Sequence, residues 1–144
     1  MPRKDKITED ALKAAEGKYK NLTKNAPLAI CRLLPNNKCD YVNDEFIRQS
    51  GFTLEEYNRL SEKEMKDLIH PEDSERVYEQ FKSWVKKGRK GVKNIVYRSF
   101  TKNKEINWLN SFHYADFDND GRLEAVNQIY IDITEQKNAE SIKW

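Results

Sequence analysis

The chain is poor in the residues that mark several functional classes. Only two cysteines, Cys31 and Cys39, and two histidines, His70 and His113, occur in 144 residues. Their spacing matches no zinc-binding pattern, in which ligands come in closely spaced pairs. A hairpin turning at Pro35-Asn36-Asn37-Lys38 would pair Leu34 with Cys39 and Cys31 with Val42. The thiols are therefore expected to stay apart, as free groups. No apolar run approaches the roughly 20 residues that a membrane-spanning helix needs. The first six residues carry charge and lack the apolar stretch of a secretory signal. An excess of one charge is missing too: 26 basic and 24 acidic side chains leave a formal +2. Nucleic-acid binding needs a concentrated basic surface. The densest basic cluster, Lys86, Lys87, Arg89, Lys90 and Lys93, reads as the solvated end of a helix. No triad or carboxylate pair has a spacing that supports catalysis. Asp118, Asn119 and Asp120 lack the acceptor that would complete a calcium loop, and read as a turn. A cytoplasmic, non-catalytic chain is expected, with no nucleic-acid partner and no membrane insertion.

What is present is one domain's worth of patterned sequence, 38% apolar and 35% charged. Thr8, Glu9 and Asp10 open a helix whose apolar residues Leu12, Ala15, Tyr19 and Leu22 form a narrow seam. Asn25-Ala26-Pro27 stops it. Leu28 to Leu34 and Cys39 to Val42 read as a hairpin around the Pro35 turn. Asn43 or Asp44 caps a short helix that Gly51 ends, and Thr53-Leu54-Glu55-Glu56 has the capping-box pattern of another. A polar run at Ser61 to Lys66 follows. Pro71, with Glu72, Asp73 and Glu75 behind it, starts a longer helix with Val77, Phe81, Trp84 and Val85 on one face. Val92 to Thr101, Ile106 to Asp116 and Leu123 to Thr134 read as three strands, turning at Lys102-Asn103-Lys104 and Asp118-Asn119-Asp120-Gly121. Thr134 then caps a last helix. Segregated strands and helices predict an α+β fold with one antiparallel sheet.

In this order several stretches resemble a PAS domain, a PAS/PAC sensory module of signalling proteins. They are Tyr19-Lys20-Asn21-Leu22 with Asn25-Ala26-Pro27, then Tyr41-Val42-Asn43-Asp44-Glu45-Phe46 with Gly51-Phe52-Thr53. Ile69-His70-Pro71-Glu72-Asp73 follows, and then Asp120-Gly121 with Ile131-Asp132-Ile133-Thr134-Glu135-Gln136-Lys137. The resemblance covers residues 19–140. It implies a leading amphipathic or linker helix over residues 1–24, a PAS domain over 25–134 and the start of an exit helix over 135–144. It also implies a five-stranded antiparallel sheet in the order 2-1-5-4-3, with helices over one face around a small cavity. The implied role is that of a sensor and dimerisation module. Such a module relays a ligand or partner signal through flanking helices to an effector domain, a histidine kinase of a two-component system or, alternatively, a diguanylate cyclase. A ligand-free interaction scaffold of the same fold is the other reading.

By analogy with the family, the strand faces carrying His113 and Tyr130 should look into the cavity. Its expected wall is Ile30, Phe46, Leu60, Leu68, Ile95 and Leu109, with Tyr97, Ser111, His113, Gln128 and Tyr130 as polar members. The same residues would serve equally as a filled core. The opposite face, with Trp108, Phe112, Ile129 and Ile131, is too apolar to stay in water. It should be covered by the leading helix, through Leu12, Ala15, Tyr19 and Leu22, on its own sheet or a partner's, in a parallel homodimer. Asp132 and Thr134, where the last strand becomes a helix, are the expected relay. No metal or cofactor is expected. The reactive cysteine that light-sensing relatives carry on a short helix is missing from Leu60 to Ile69, and haem ligation in the family comes from a helix, not from a strand histidine. An unidentified small ligand remains open.

Overall fold

The structure, a computed structural model, describes residues 27–142. Five strands form one antiparallel sheet in the order β2-β1-β5-β4-β3. They are β1 (Ala29–Leu33), β2 (Cys39–Val42), β3 (Lys93–Phe100), β4 (Ile106–Phe117) and β5 (Leu123–Asp132). Between β2 and β3 run four helices: α1 (Asp44–Ser50), α2 (Leu54–Asn58), α3 (Glu62–Asp67) and α4 (Pro71–Lys86). The exit helix α5 (Thr134–Ile142) follows β5. The expected leading helix, with Leu12, Ala15, Tyr19 and Leu22, lies outside the described residues.

The helix starts follow from local chemistry. Asn43 Oδ1 accepts from the Phe46 N–H at the start of α1 and from the Ile30 N–H of β1, while its amide nitrogen donates to the Leu28 carbonyl. One side chain thus caps a helix and fastens it to the sheet. Gly51 ends α1 at φ 81° with its N–H on the Ile47 carbonyl, a left-handed position that favours glycine. Thr53 and Glu56 form the expected capping box. The polar run at Ser61 to Lys66 forms α3, where Ser61 and Glu64 make a second reciprocal capping box. Pro71 occupies the first turn of α4, and His70 Nδ1 accepts from the Glu72 N–H.

Two expectations need correction. Cys31 stands opposite Val42, but Leu33 rather than Leu34 opposes Cys39, because a bulge between Arg32 and Leu33 shifts the register. A shift of one residue turns a strand side chain to the other face. Cys39 thereby joins Cys31, and the two free, buried thiols lie 3.9 Å apart, sulfur to sulfur. The second correction concerns Thr134. Instead of capping α5 it is the helix's first residue, and Asp132 Oδ1 accepts from its N–H at 2.9 Å.

The sheet separates two apolar clusters. On the helix side Ala29, Cys31, Cys39, Phe46, Val77, Ile95, Tyr97, Leu109 and Tyr130 pack together. On the other side Phe112, Ile129 and Ile131 are buried, with Leu28, Ile30 and Ile133 against them. Helix α4 is clamped to β3 at its start. Asp73 accepts from the Arg98 backbone N–H at 2.8 Å and from its guanidinium at 2.8 and 2.9 Å. That pairing holds the Asp73 carboxyl down at about 2. Leu68 to His70 runs along β3, where the Phe100 N–H donates to Leu68 O and the His70 N–H to Arg98 O, so the edge strand is partly covered.

Asn43→Ala is expected to cost about 2 kcal/mol, the upper end for a lost helix cap, because the sheet bonds go with it. Urea denaturation measures it, and a loss within 0.5 kcal/mol of zero, the range of an ordinary surface substitution, would refute the fastening role.

Candidate functional site

A cavity of about 240 Å³ opens between the sheet and helices α1 to α4. Its floor comes from alternate residues of the strands: Ala29 and Leu33 of β1, Tyr97 and Ser99 of β3, Leu109 and His113 of β4, and Gln128 and Tyr130 of β5. The helices supply Phe46, Gln49, Tyr57, Met65, Tyr78 and Phe81.

Of the expected wall, Phe46, Leu68, Tyr97, Leu109, His113, Gln128 and Tyr130 line this space. Ile95 and Ser111 are fully buried on the same side of the sheet but in the layer beneath it. Leu60 is half-buried and away from the cavity. Ile30 was misplaced: it pairs with Ile129 and packs in the opposite cluster, because alternation on β1 sends Ala29, Cys31 and Leu33 to the cavity side instead. Sequence reasoning missed Gln49, Phe52, Tyr57, Met65, Tyr78 and Phe81. They sit on helices, or for Phe52 on the loop between α1 and α2, whose approach to the sheet no local pattern specifies.

Along the floor a buried polar chain runs across the strands. Cys39 contacts Cys31, and Gln128 Nε2 donates to Cys31 Sγ at 3.2 Å. Gln128 Oε1 lies 3.0 Å from His113 Nδ1, and His113 Nε2 lies 2.9 Å from Ser111 Oγ. Ser111 Oγ is 2.8 Å from the Ile95 carbonyl. An amide oxygen can only accept, so the neutral ring carries its proton on Nδ1. The single Ser111 hydroxyl proton then serves either Nε2 or the Ile95 carbonyl. Burial pushes His113 down to about 3, opposed by its Gln128 bond. Burial raises Tyr57, Tyr97 and Tyr130 in turn. None of the lining residues is Asp, Glu, Lys or Arg. At neutral pH the cavity wall is electrically neutral.

Both nitrogens of His113 are engaged inside the sheet, so it cannot serve as an axial haem ligand without breaking the polar chain. Neither thiol belongs to the cavity wall. Among the described residues no cluster of His, Cys, Asp and Glu could hold a metal ion.

The expected relay and dimer-face residues lie elsewhere. Thr134 Oγ1 accepts from the Trp108 N–H at 2.9 Å and donates to Asp132, joining β4, the end of β5 and the start of α5. The Trp108 ring lies between Arg98 and Lys137, each 5.0 Å from its centre. Phe112, Ile129 and Ile131 share the face away from the cavity and are already buried within the single chain, whereas Trp108 is half-buried.

Residues 40–130 match the sequence profile of the PAS fold family. The chain belongs to the PAS fold family. Among solved structures, the N-terminal domain of a diguanylate cyclase with PAS/PAC sensor from Marinobacter aquaeolei is 17% identical. It superposes with a TM-score of 0.65 over 77% of this chain and 99% of that one. A sensory box histidine kinase/response regulator from Burkholderia thailandensis is 20% identical, with a TM-score of 0.64 over 87% and 91% of the two chains. The light state of the blue-light photoreceptor Aureochrome1 LOV is 17% identical, with a TM-score of 0.63 over 86% and 94%. No curated protein matches the chain in sequence. At such identities the likeness is one of fold.

The buried neutral histidine sets a pH dependence. The unfolded chain takes up a proton near the ordinary histidine value of about 6.5, and the native ring refuses it until about 3. Stability is therefore full above about 6.5 and falls as pH drops through that window, by on the order of 2 kcal/mol at pH 5. Guanidinium denaturation at pH 7.5 and pH 5 checks it. His113→Asn should flatten the difference; an unchanged slope in that variant would assign the loss to other groups.

Proposed function

We propose that this PAS domain is a cytoplasmic sensory and dimerisation module, without catalytic chemistry of its own. In this reading it takes up a small molecule in the cavity and signals through α5 to an effector in the same polypeptide. The observation that carries the proposal is the joining of cavity floor and exit helix. Leu109, in the floor, follows Trp108, whose N–H rests on Thr134 at the start of α5. A displacement of β4 or β5 by an occupant would thus be felt directly by the helix. A histidine kinase is the effector we favour. The Burkholderia thailandensis neighbour, a sensory box histidine kinase, supports it, and the Marinobacter aquaeolei neighbour keeps a diguanylate cyclase as the second reading.

The module would work as a parallel homodimer. Its interface would use the half-buried Trp108 and the segment holding Leu12, Ala15, Tyr19 and Leu22, since Phe112, Ile129 and Ile131 are already covered within the single chain. No helix among the described residues is long and apolar enough to cross a membrane. That is compatible with a parent protein that is either soluble or anchored elsewhere.

Thr134→Val removes the hydroxyl that joins Trp108 to Asp132. In the parent protein it should make output independent of the stimulus while circular dichroism shows a folded domain. Normal stimulus-dependent output from a folded variant would refute the relay. Equilibrium sedimentation should show a dimer at high micromolar concentration, and a strict monomer there would end the dimer proposal.

A further inference from the structure

We propose that the cavity selects an uncharged, flat aromatic molecule of about two fused rings with a polar group on its edge. This rests on the reading of the cavity as a ligand site and adds the class of ligand it takes.

Charge is the first constraint. Every lining residue is uncharged by type or held in its neutral form, so a bound ion would find no counter-charge. Burying an unpaired ion costs several kcal/mol even after relaxation, a penalty that a neutral molecule of the same shape escapes. The polar groups of the floor offer no charge either: Gln128, His113 and Ser111 bond to one another and to Cys31.

Shape is the second. Aromatic rings approach from the sheet and from three helices, and several are already set edge to face. Phe46 and Tyr57 meet at 5.1 Å and 89°, and Phe81 and His113 at 4.5 Å and 86°. Ring walls in this arrangement offer both faces and edges to a further π system, a contact worth more than aliphatic burial of equal area. Volume sets the size: an apolar cavity of about 150 Å³ holds benzene, so about 240 Å³ suits a bicycle.

The third constraint is a pair of side-chain amides. Gln49 and Asn107 both line the cavity and are joined to each other, with Asn107 Nδ2 donating to the Gln49 carbonyl at 3.2 Å. Gln49 Nε2 is committed to Glu45 at 2.9 Å. Each amide nitrogen spends one N–H inside the protein and keeps a second, while neither side-chain oxygen receives a donor from the described residues. A ligand with a polar group on its edge, donor or acceptor, can meet this pair.

Four probes on one skeleton test the inference against the full chain: 2-naphthol, 2-naphthoate, 2-naphthylmethylammonium and decahydro-2-naphthol. Each is titrated at pH 7 and followed by amide NMR shifts at Leu109, His113 and Tyr130. The expected result is saturable binding of 2-naphthol at least tenfold tighter than that of the other three. Equal or tighter binding of either ion overturns the charge argument and leaves the cavity a ligand site. Equal binding of the saturated alcohol overturns the requirement for a flat ring, with the same reservation. If no probe binds, native mass spectrometry of the protein taken from cell extract decides. An uncharged aromatic adduct supports the inference, a charged or aliphatic one overturns it, and no adduct at all overturns the ligand-site reading with it.

Discussion

The pairing of β4 with β5 governs what each side of the domain becomes. In that ladder Ser111 stands opposite Tyr130, Phe112 opposite Ile129, and His113 opposite Gln128. Because side chains alternate, the register gathers His113, Gln128, Ser111 and Tyr130 on the helix side and Phe112, Ile129 and Ile131 on the other. A slip of β5 by one residue would turn its side chains to the opposite faces. Gln128 would then leave His113 for the far side of the sheet, and Ile129 and Ile131 would point into the cavity. Both faces are chemically distinct, so the wrong register is penalised twice.

The helix side is held without charge, and the ion pairs are placed around its margin. Asp73 and Arg98 fasten the start of α4 to the edge strand β3. Arg98 in turn lies over Trp108, which also meets Lys137 of the exit helix. The margin of the cavity and the start of α5 thus share one set of contacts on the edge of the sheet. Arg98 is partly exposed, and its contribution is better regarded as positional than as a large store of stability. The neutral interior has the opposite character. Its polar atoms are satisfied by near neighbours, and the cavity above them is left for uncharged chemistry.

Solved PAS structures that share about a fifth or less of this sequence superpose on most of its length. What the superposition preserves is the sheet order and the helix-covered face, which rest on alternation, caps and turns. The lining of the cavity is a matter of side chains, which a likeness of fold does not report. Here that lining includes Gln49, Phe52, Tyr57, Met65, Tyr78 and Phe81, carried on α1 to α4 and the loop between α1 and α2.

Much of the architecture was legible in the residues alone. Asn43, Thr53 and Pro71 announce helix starts because caps act over three or four residues. Asp118 announces its hairpin for the same reason, with its carboxylate accepting from the Asp120 and Arg122 N–H groups. The faces of β4 and β5 could be sorted because each alternates for ten residues or more. Three features had no such local signature. The bulge after Arg32 reversed Cys39 and brought two thiols together, although a uniform register was the simpler reading. Ile30 sits on a five-residue strand too short for alternation to assign its face, and only pairing with Ile129 does so. The neutrality of the cavity was also beyond the sequence, because it depends on which helix residues reach over the sheet. Short-range chemistry determined the elements and their order; the packing of helices on the sheet, a contact between residues distant along the chain, decided the site.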